Sequence, residues 1–349
     1  MELLILDTDL QPVDVSDTFE SLIWVDRYDQ CGDFELYLPM SSSAIGNLRR
    51  DYYLWNADSE HVMIIEHVEI KTDIENGNHL LISGRSVESI LRRRIILGQK
   101  VYDGNLQDAI EDLLMSNVID PEDHNRKIDN FIFSKSTDER ITSMTIQTQY
   151  DGENLYEAIE ALCVERGIGF KVVLSDDNKF VFSLYIGEDR TYDQLVNPYV
   201  IFSPDYDNII NSKYLEDSSG YKNVAYVRGE ESSSVTIGET KGIERREMYV
   251  DATHLSRKVS GRDTTLTQEQ YNEQLQQKGY EEISLNDVST IFDGEVEGTR
   301  MFKYREDYSI GDLVQIVNEY GLEGVARITE FITSQNNEGI SMYPTFKMI

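Results

Sequence analysis

One strand-turn-strand pattern occurs twice in this sequence, near either end. Ile65-x-x-Val68 leads through Asn76-Gly77 to Leu80-x-Ile82, and Ile328-x-x-Phe331 leads through Glu338-Gly339 to Ile340-x-Met342. The turn shifts by one residue between the two. Hairpin grammar shared by unrelated strands is the alternative explanation. Taken at face value, the echo predicts two similar β units with a different unit between them.

The rest of the chain fits that division. Residues 1–98 read as a first β-barrel domain. Ser21–Tyr28, Phe34–Pro39, Met63–Ile70 and His79–Ser83 are short β-branched or aromatic runs, bounded by Cys31-Gly32-Asp33, Pro39 and Asn76-Gly77. Short helical pieces are expected at Ser42–Arg50 and Val87–Arg94. Residues 99–205 read as an α/β domain with two amphipathic helices. Leu106, Ala109, Ile110, Leu113 and Leu114 mark one; Leu155, Ala158, Ile159 and Leu162 mark the other, with Gly167 as its stop. Asn105-Leu106 and Asn154-Leu155 each precede an Ala-Ile-Glu triplet. Strands Gly169–Leu174 and Phe180–Ile186 follow, around an Asp176-Asp177-Asn178 turn.

Residues 206–349 read as a second β-barrel domain with a helical insertion near 265–290. Asn208–Leu215, Val224–Gly229 and Arg245–Val250 are its first strands. Thr267 and Gln270 have capping-box spacing, Leu266 can staple onto Tyr271, and Gly279 is the expected helix end. The predicted fold class is mainly β with an α+β insertion: two similar β-barrel domains plus a peripheral α/β domain.

Charge narrows the function. The chain carries 64 Asp+Glu against 32 Lys+Arg, a net charge of −32, with the acids scattered rather than gathered in a tail. Its 40% hydrophobic content supports packed cores. A field of that sign repels nucleic acid and anionic membranes. No apolar run approaches the ~20 residues that span a bilayer, and Asp7 and Asp9 interrupt the apolar start, so a soluble protein without a leader is expected. Cys31 and Cys163 exclude a disulfide framework; two buried thiols are preferred over a single bridge.

No catalytic, cofactor or metal motif emerges. His61, His67, His79, His124 and His254 show no paired metal-ligand spacing, and neither a nucleophile elbow nor a phosphate-binding glycine loop occurs. Carboxylates are too abundant for any one pair to signal a glycosidase. The chain is expected to be no enzyme and to need no cofactor. Arg92-Arg93-Arg94 is the one basic cluster, either a helix C-terminal turn favoured by the dipole or a dock for an acidic partner. Tyr192, Tyr199 and Tyr206 are candidates for exposed aromatic contacts.

Three segments together resemble a known family. They are Trp24-x-x-Arg27-Tyr28-x-x-Cys31-Gly32-x-Phe34-Glu35-Leu36-x-Leu38-Pro39; then Ile64-Ile65-Glu66-x-Val68-x-Ile70, with Ile82-Ser83-Gly84-Arg85-Ser86 and Leu91-x-x-Arg94; and Tyr304-x-x-Asp307-Tyr308-x-Ile310-Gly311-Asp312-Leu313-Val314, with Ala326-Arg327-Ile328-Thr329-Glu330. Their order and spacing resemble the hub proteins at the distal end of siphophage-type tails. The resemblance covers essentially the whole chain. It implies a homotrimer whose six quasi-equivalent barrels join a six-fold tail tube to a three-fold tip. The implied partners are the distal tail or tube protein, the tape-measure protein and a tip fibre, spike or receptor-binding protein. DNA would cross the channel without specific binding, past acidic walls. The implied location is the distal tip of the virion tail, assembled in the host cytoplasm. A tail-tip cell-wall hydrolase and a glycan- or receptor-binding tip protein are the alternatives.

Overall fold

The computed structural model describes residues 2–73, 77–260, 264–296, 301–318, 320–321 and 323–349. Asn76, half of the first expected turn, lies outside them. The first segment forms β1 (Leu3–Leu6), β2 (Pro12–Ser16), β3 (Ser21–Arg27), β4 (Asp33–Pro39), β5 (Tyr53–Trp55), β6 (Met63–Asp73) and β7 (Gly77–Ser86). Helix α1 (Ser42–Asn47) follows β4, and a 3-10 turn over Val87–Arg93 follows β7. Alternation sets the faces. Leu22, Trp24, Phe34, Leu36 and Leu38 are buried, whereas Ile23 and Glu35 point to the open side.

The middle segment holds β8 (Lys100–Asn105), α2 (Leu106–Leu114), β9 (Phe131–Ser134), α3 (Glu139–Thr142), β10 (Thr145–Tyr150), α4 (Leu155–Arg166), β11 (Gly169–Leu174) and β12 (Phe180–Tyr185). The two similar helix starts have one cause. Asn105 and Asn154 each accept the first free backbone N–H groups of the helix that follows. Gly167 closes α4 at φ 64°, a left-handed turn that glycine adopts freely. Leu106, Ile110, Leu155, Ile159 and Leu162 pack with Phe170 and Phe182, and Leu6, Ile64 and Leu91 of the first segment join that same core.

The last segment supplies β13 (Ile201–Phe202), β14 (Ile210–Asp217), β15 (Val224–Arg228), β16 (Ser234–Ile237), β17 (Glu247–Asp251), α5 (Gln268–Ser284), β18 (Ser289–Glu295), β19 (Leu313–Val317), β20 (Glu323–Asn336) and β21 (Gly339–Met348). Strands β16, β15 and β17 make a small sheet beneath α5. The Thr267/Gln270 capping box is present, and Leu266 and Tyr271 share one apolar cluster. Gly279 does not end the helix. It lies inside α5, where a Cβ would come within 2.7 Å of Ile237 and 2.8 Å of Val227. The glycine is there so that the helix can approach the sheet.

The repeated pattern is a repeated ribbon. One thirteen-stranded sheet contains the run β14-β18-β21-β20-β3-β4-β7-β6. It is two four-stranded ribbons laid end to end in the same order. Each ribbon has a long hairpin, β6–β7 or β20–β21, with a bulge immediately after the echo isoleucine: between Ile65 and His67, and between Ile328 and Glu330. Aligning the bulges makes Ser83 the counterpart of Thr345. The register then carries Phe34 onto Phe292 and Trp24 onto Tyr214. Both phenylalanines are buried. Strand β5 flanks the start of β6 as β19 flanks the start of β20. The mainly β class with helices in the middle is what the sequence predicts. Among the described residues the ladders do not close into barrels; the two ribbons instead share one open sheet through the β3–β20 pairing.

Candidate assembly surfaces

The family-like motifs of the first and last segments meet at one place, the junction of the two ribbons. β3 runs antiparallel to the outer half of β20, with Arg27 opposite Glu330 and Trp24 opposite Thr333. Arg27 clamps the seam: its Nε donates to Glu330 at 2.6 Å, and its Nη1 donates to Asp33 at 2.6 Å and to the Cys31 carbonyl at 3.0 Å. Tyr28, immediately after β3, ties all three segments. Its N–H donates to the Thr329 carbonyl, its hydroxyl donates to the Gly167 carbonyl, and its own carbonyl accepts from Phe170. Arg327 stacks over its ring at 5.2 Å. Gly169 and Gly311 both abut that ring; a Cβ on either would lie 2.4 Å from it. Burial pushes the Tyr28 hydroxyl up to about 12, so it remains a neutral donor at physiological pH.

Behind the seam lies a closed ionic cluster that sequence reasoning misses. His61 Nδ1 is 2.9 Å from Glu88 Oε1, and that same oxygen accepts the Val172 N–H at 2.6 Å. Asp26 accepts from Trp24 Nε1 and from Ser59 Oγ. Burial alone would lower the His61 pKa; the Glu88 and Asp26 carboxylates outweigh it and lift it to about 9. Burial likewise opposes charge on Glu88, but the His61 pair holds its carboxyl below the usual range. Burial raises Asp26. The arrangement is a charge-neutralising lock between β3, the Ser59–His61 loop, the 3-10 turn and β11. A polar cleft of about 350 Å³, lined also by Lys171, Tyr304 and Arg305, adjoins it. The cue is weak because His61 and Glu88 are far apart in sequence and carry no motif.

Arg92, Arg93 and Arg94 stand in the last turn of the 3-10 segment and just past it, but they diverge. Arg92 stacks on Tyr156 at 3.9 Å and pairs with Glu157 at 3.3 Å and Glu160 at 3.6 Å. Arg94 Nε donates to the Arg126 carbonyl at 2.9 Å, and its pKa is lowered by burial, with the Arg126 and Arg93 charges adding to it. Arg93 is exposed and pairs with Asp51 at 3.1 Å. Two of the three are therefore engaged in holding the middle segment.

Tyr192 and Tyr199 stack edge to face at 5.8 Å on the surface, and Tyr206 is exposed as well. Their loop is braced by Gln194, which donates to the Thr191 and Asn197 carbonyls and accepts from Val196 and Asn197. It holds Leu195 and Val196 in solvent. Cys31 and Cys163 are free and buried. No helix is long and apolar enough to cross a membrane, among the described residues.

A model of the Siphovirus ReqiPepy6 Gp37-like proteins matches residues 2–346. The chain belongs to that family. No curated protein matches it. Among solved structures, the chain is similar to the 43 kDa tail protein of prophage MuSo2 from Shewanella oneidensis, at 12% identity and a TM-score of 0.60, covering 100% of this chain and 98% of that one. It is also similar to a tail protein from Neisseria meningitidis MC58, at 13% identity and a TM-score of 0.56, covering 99% and 95%. Prophage tail protein gp18 of Listeria monocytogenes EGD-e matches at 12% identity and a TM-score of 0.53, covering 99% and 94%. At such identities the likeness concerns the fold. This Gp37-like protein has the fold of phage tail proteins, and family and fold both uphold the tail-hub resemblance read from its motifs.

Proposed function

We propose that this Gp37-like protein is a non-enzymatic structural hub at the distal end of a phage tail, acting as a homotrimeric ring. The observation that carries this reading is the doubled ribbon. Two units of the same strand order and register within one chain are what a three-copy ring needs to present six near-equivalent positions to a six-fold tube. The three-part division near residues 98 and 205 belongs to the same reading, with the middle segment and the α5 insertion lying outside the ring. Partners would be the distal tail or tube protein above, the tape-measure protein within and a fibre, spike or receptor-binding protein below. Arg93 and the braced Tyr192–Tyr199 loop are the surfaces offered to them.

The open face of the sheet would form the channel wall. Three of its cations are paired with acids: Arg27 with Glu330, Arg85 with Glu66 at 2.7 Å, and Lys71 with Glu69 at 3.7 Å. Such a wall offers little positive field to hold passing phosphate, so DNA would slide rather than bind. Light scattering on the purified protein tests the proposal. A trimer is expected, or a monomer that trimerises on the tail; a stable dimer would overturn it.

A further inference from the structure

The junction that joins the two ribbons is made once inside the chain, yet the chain carries the strands to make it again. The outer half of β20 is covered by β3. Its counterpart in the first ribbon, the half of β6 after the bulge, is paired only with β7 among the described residues, because β5 leaves β6 at Ile64. The counterpart of β3 is β14, which among the described residues pairs only with β18. One edge therefore ends each ribbon run, and the two edges correspond to the two sides of an existing junction.

Exposure agrees with a missing neighbour. At the made junction Trp24 and Phe331 are each 2% exposed. At the unmade one their counterparts Tyr214 and Val68 are 42% and 39% exposed, and Ile70 is 52% exposed. A long strand with apolar side chains and unpaired backbone groups is a template for pairing. Natural edges are blunted by shortness, proline or charge; β14 is eight residues long without proline, and exposes Tyr214 and Leu215 between Lys213 and the Glu216–Asp217 pair, past a bulge at Ile210–Lys213.

We propose that β14 of one copy pairs antiparallel with the outer half of β6 of the next copy, repeating between copies the β3–β20 junction. The register follows from the equivalences above. Tyr214 meets Ile70 as Trp24 meets Thr333, and Glu216 meets Val68 as Asp26 meets Phe331. Asp217 meets His67 as Arg27 meets Glu330, with the basic and acidic partners exchanged. Lys213 meets Lys71, each already neighboured by an acid of its own ribbon, Asp293 at 3.9 Å and Glu69 at 3.7 Å. The contact is head-to-tail, and with the rotation between copies closed at three it makes a ring of ribbons that leaves neither edge open. The inference rests on the ring reading and names the surface through which that ring forms.

Paired cysteines test it. In the full chain, Ile70→Cys with Tyr214→Cys is expected to give reducible two-chain and three-chain species under mild oxidation, since directly opposed residues hold their Cβ atoms ~4.5–5.5 Å apart. Each single variant, and Ile70→Cys with Leu215→Cys, which faces the other side of β14, should stay uncrosslinked. Ile70→Lys, at an exposed site that does not affect folding, should weaken self-association at least about tenfold by placing a charge at a covered apolar position. A wild-type trimer without the Ile70–Tyr214 crosslink would overturn this pairing while leaving the ring intact. Equal crosslinking through Leu215 would overturn the register. A wild-type protein that does not self-associate at any concentration, alone or on tails, together with a double variant that does not crosslink, would sink both.

Discussion

The two ribbons share strand order, bulge position and an aromatic pair, but they are packed differently. The first is covered by its own chain. Leu3, Ile5, Leu22, Trp24, Phe34, Leu36 and Leu54 fill one side of it, and the ionic lock and the middle segment brace it from behind. In the second, Phe292 and Phe346 are buried, whereas β14 is exposed along nearly its whole length. One topology therefore serves two ends: a ribbon packed within the chain except along the outer half of β6, and one whose strand β14 is exposed along its length. Strand pairing alone sets the order, while side-chain burial decides where a fold is complete.

The sharpest way to break that contrast is to truncate the matched aromatics. Trp24→Ala should cost ~3–5 kcal/mol of stability and Tyr214→Ala under ~1 kcal/mol in dilute protein, read from urea midpoints. Similar losses at the two sites would mean that both ribbons are equally complete. His61→Ala should also cost ~3–5 kcal/mol, because it leaves the buried Glu88 carboxylate without its partner. A variant as stable as the parent would show that the lock does not brace the first ribbon.

The pH dependence separates the regions as well. His61 has a folded pKa raised to about 9 from an unfolded 6.5, so its contribution is fully present below 6.5 and lost as pH rises through about 9. Glu281 in α5 is raised to about 7 by burial, so its contribution is present below 4.5 and lost as pH rises through about 7. Thermal melts from pH 4 to 10 should therefore fall first between about 4.5 and 7 and then on to about 9, and Glu281→Gln should remove the earlier fall. A flat profile would leave neither group with its assigned environment.

Smaller effects sharpen the junction. Arg27→Ala should cost about 1–2 kcal/mol, since its two carboxylate bonds are partly screened by solvent. Arg93→Ala should change stability by less than ~0.5 kcal/mol and act, if anywhere, on binding to other tail components. A large folding defect in Arg93→Ala would place that arginine in the core contacts, with Arg92 and Arg94.

Local chemistry made much of this fold legible. The Asn105 and Asn154 caps, the Gly167 stop, the Thr267 capping box and the hairpin positions all depend on residues within a few positions of one another. Gly279 was misleading for the same reason: a glycine looks like a stop when its packing partners, Val227 and Ile237, are remote in sequence. The three arginines looked like one patch because adjacency in sequence says nothing of direction on a tight 3-10 turn. The His61–Glu88–Asp26 lock left no trace, since its members are joined only by the approach of β3, β11 and the 3-10 turn.

The sequence by itself determined that the ends are β, that a similar hairpin occurs in each, and that short-range signals place the helices. Period-two burial and capping are local, so they are written residue by residue. Only the tertiary structure decided that the two hairpins belong to ribbons of one sheet, joined through β3 and β20. Backbone hydrogen bonds between strands carry no side-chain signature, so which edges meet, and which are left open, is decided where the chain folds back on itself.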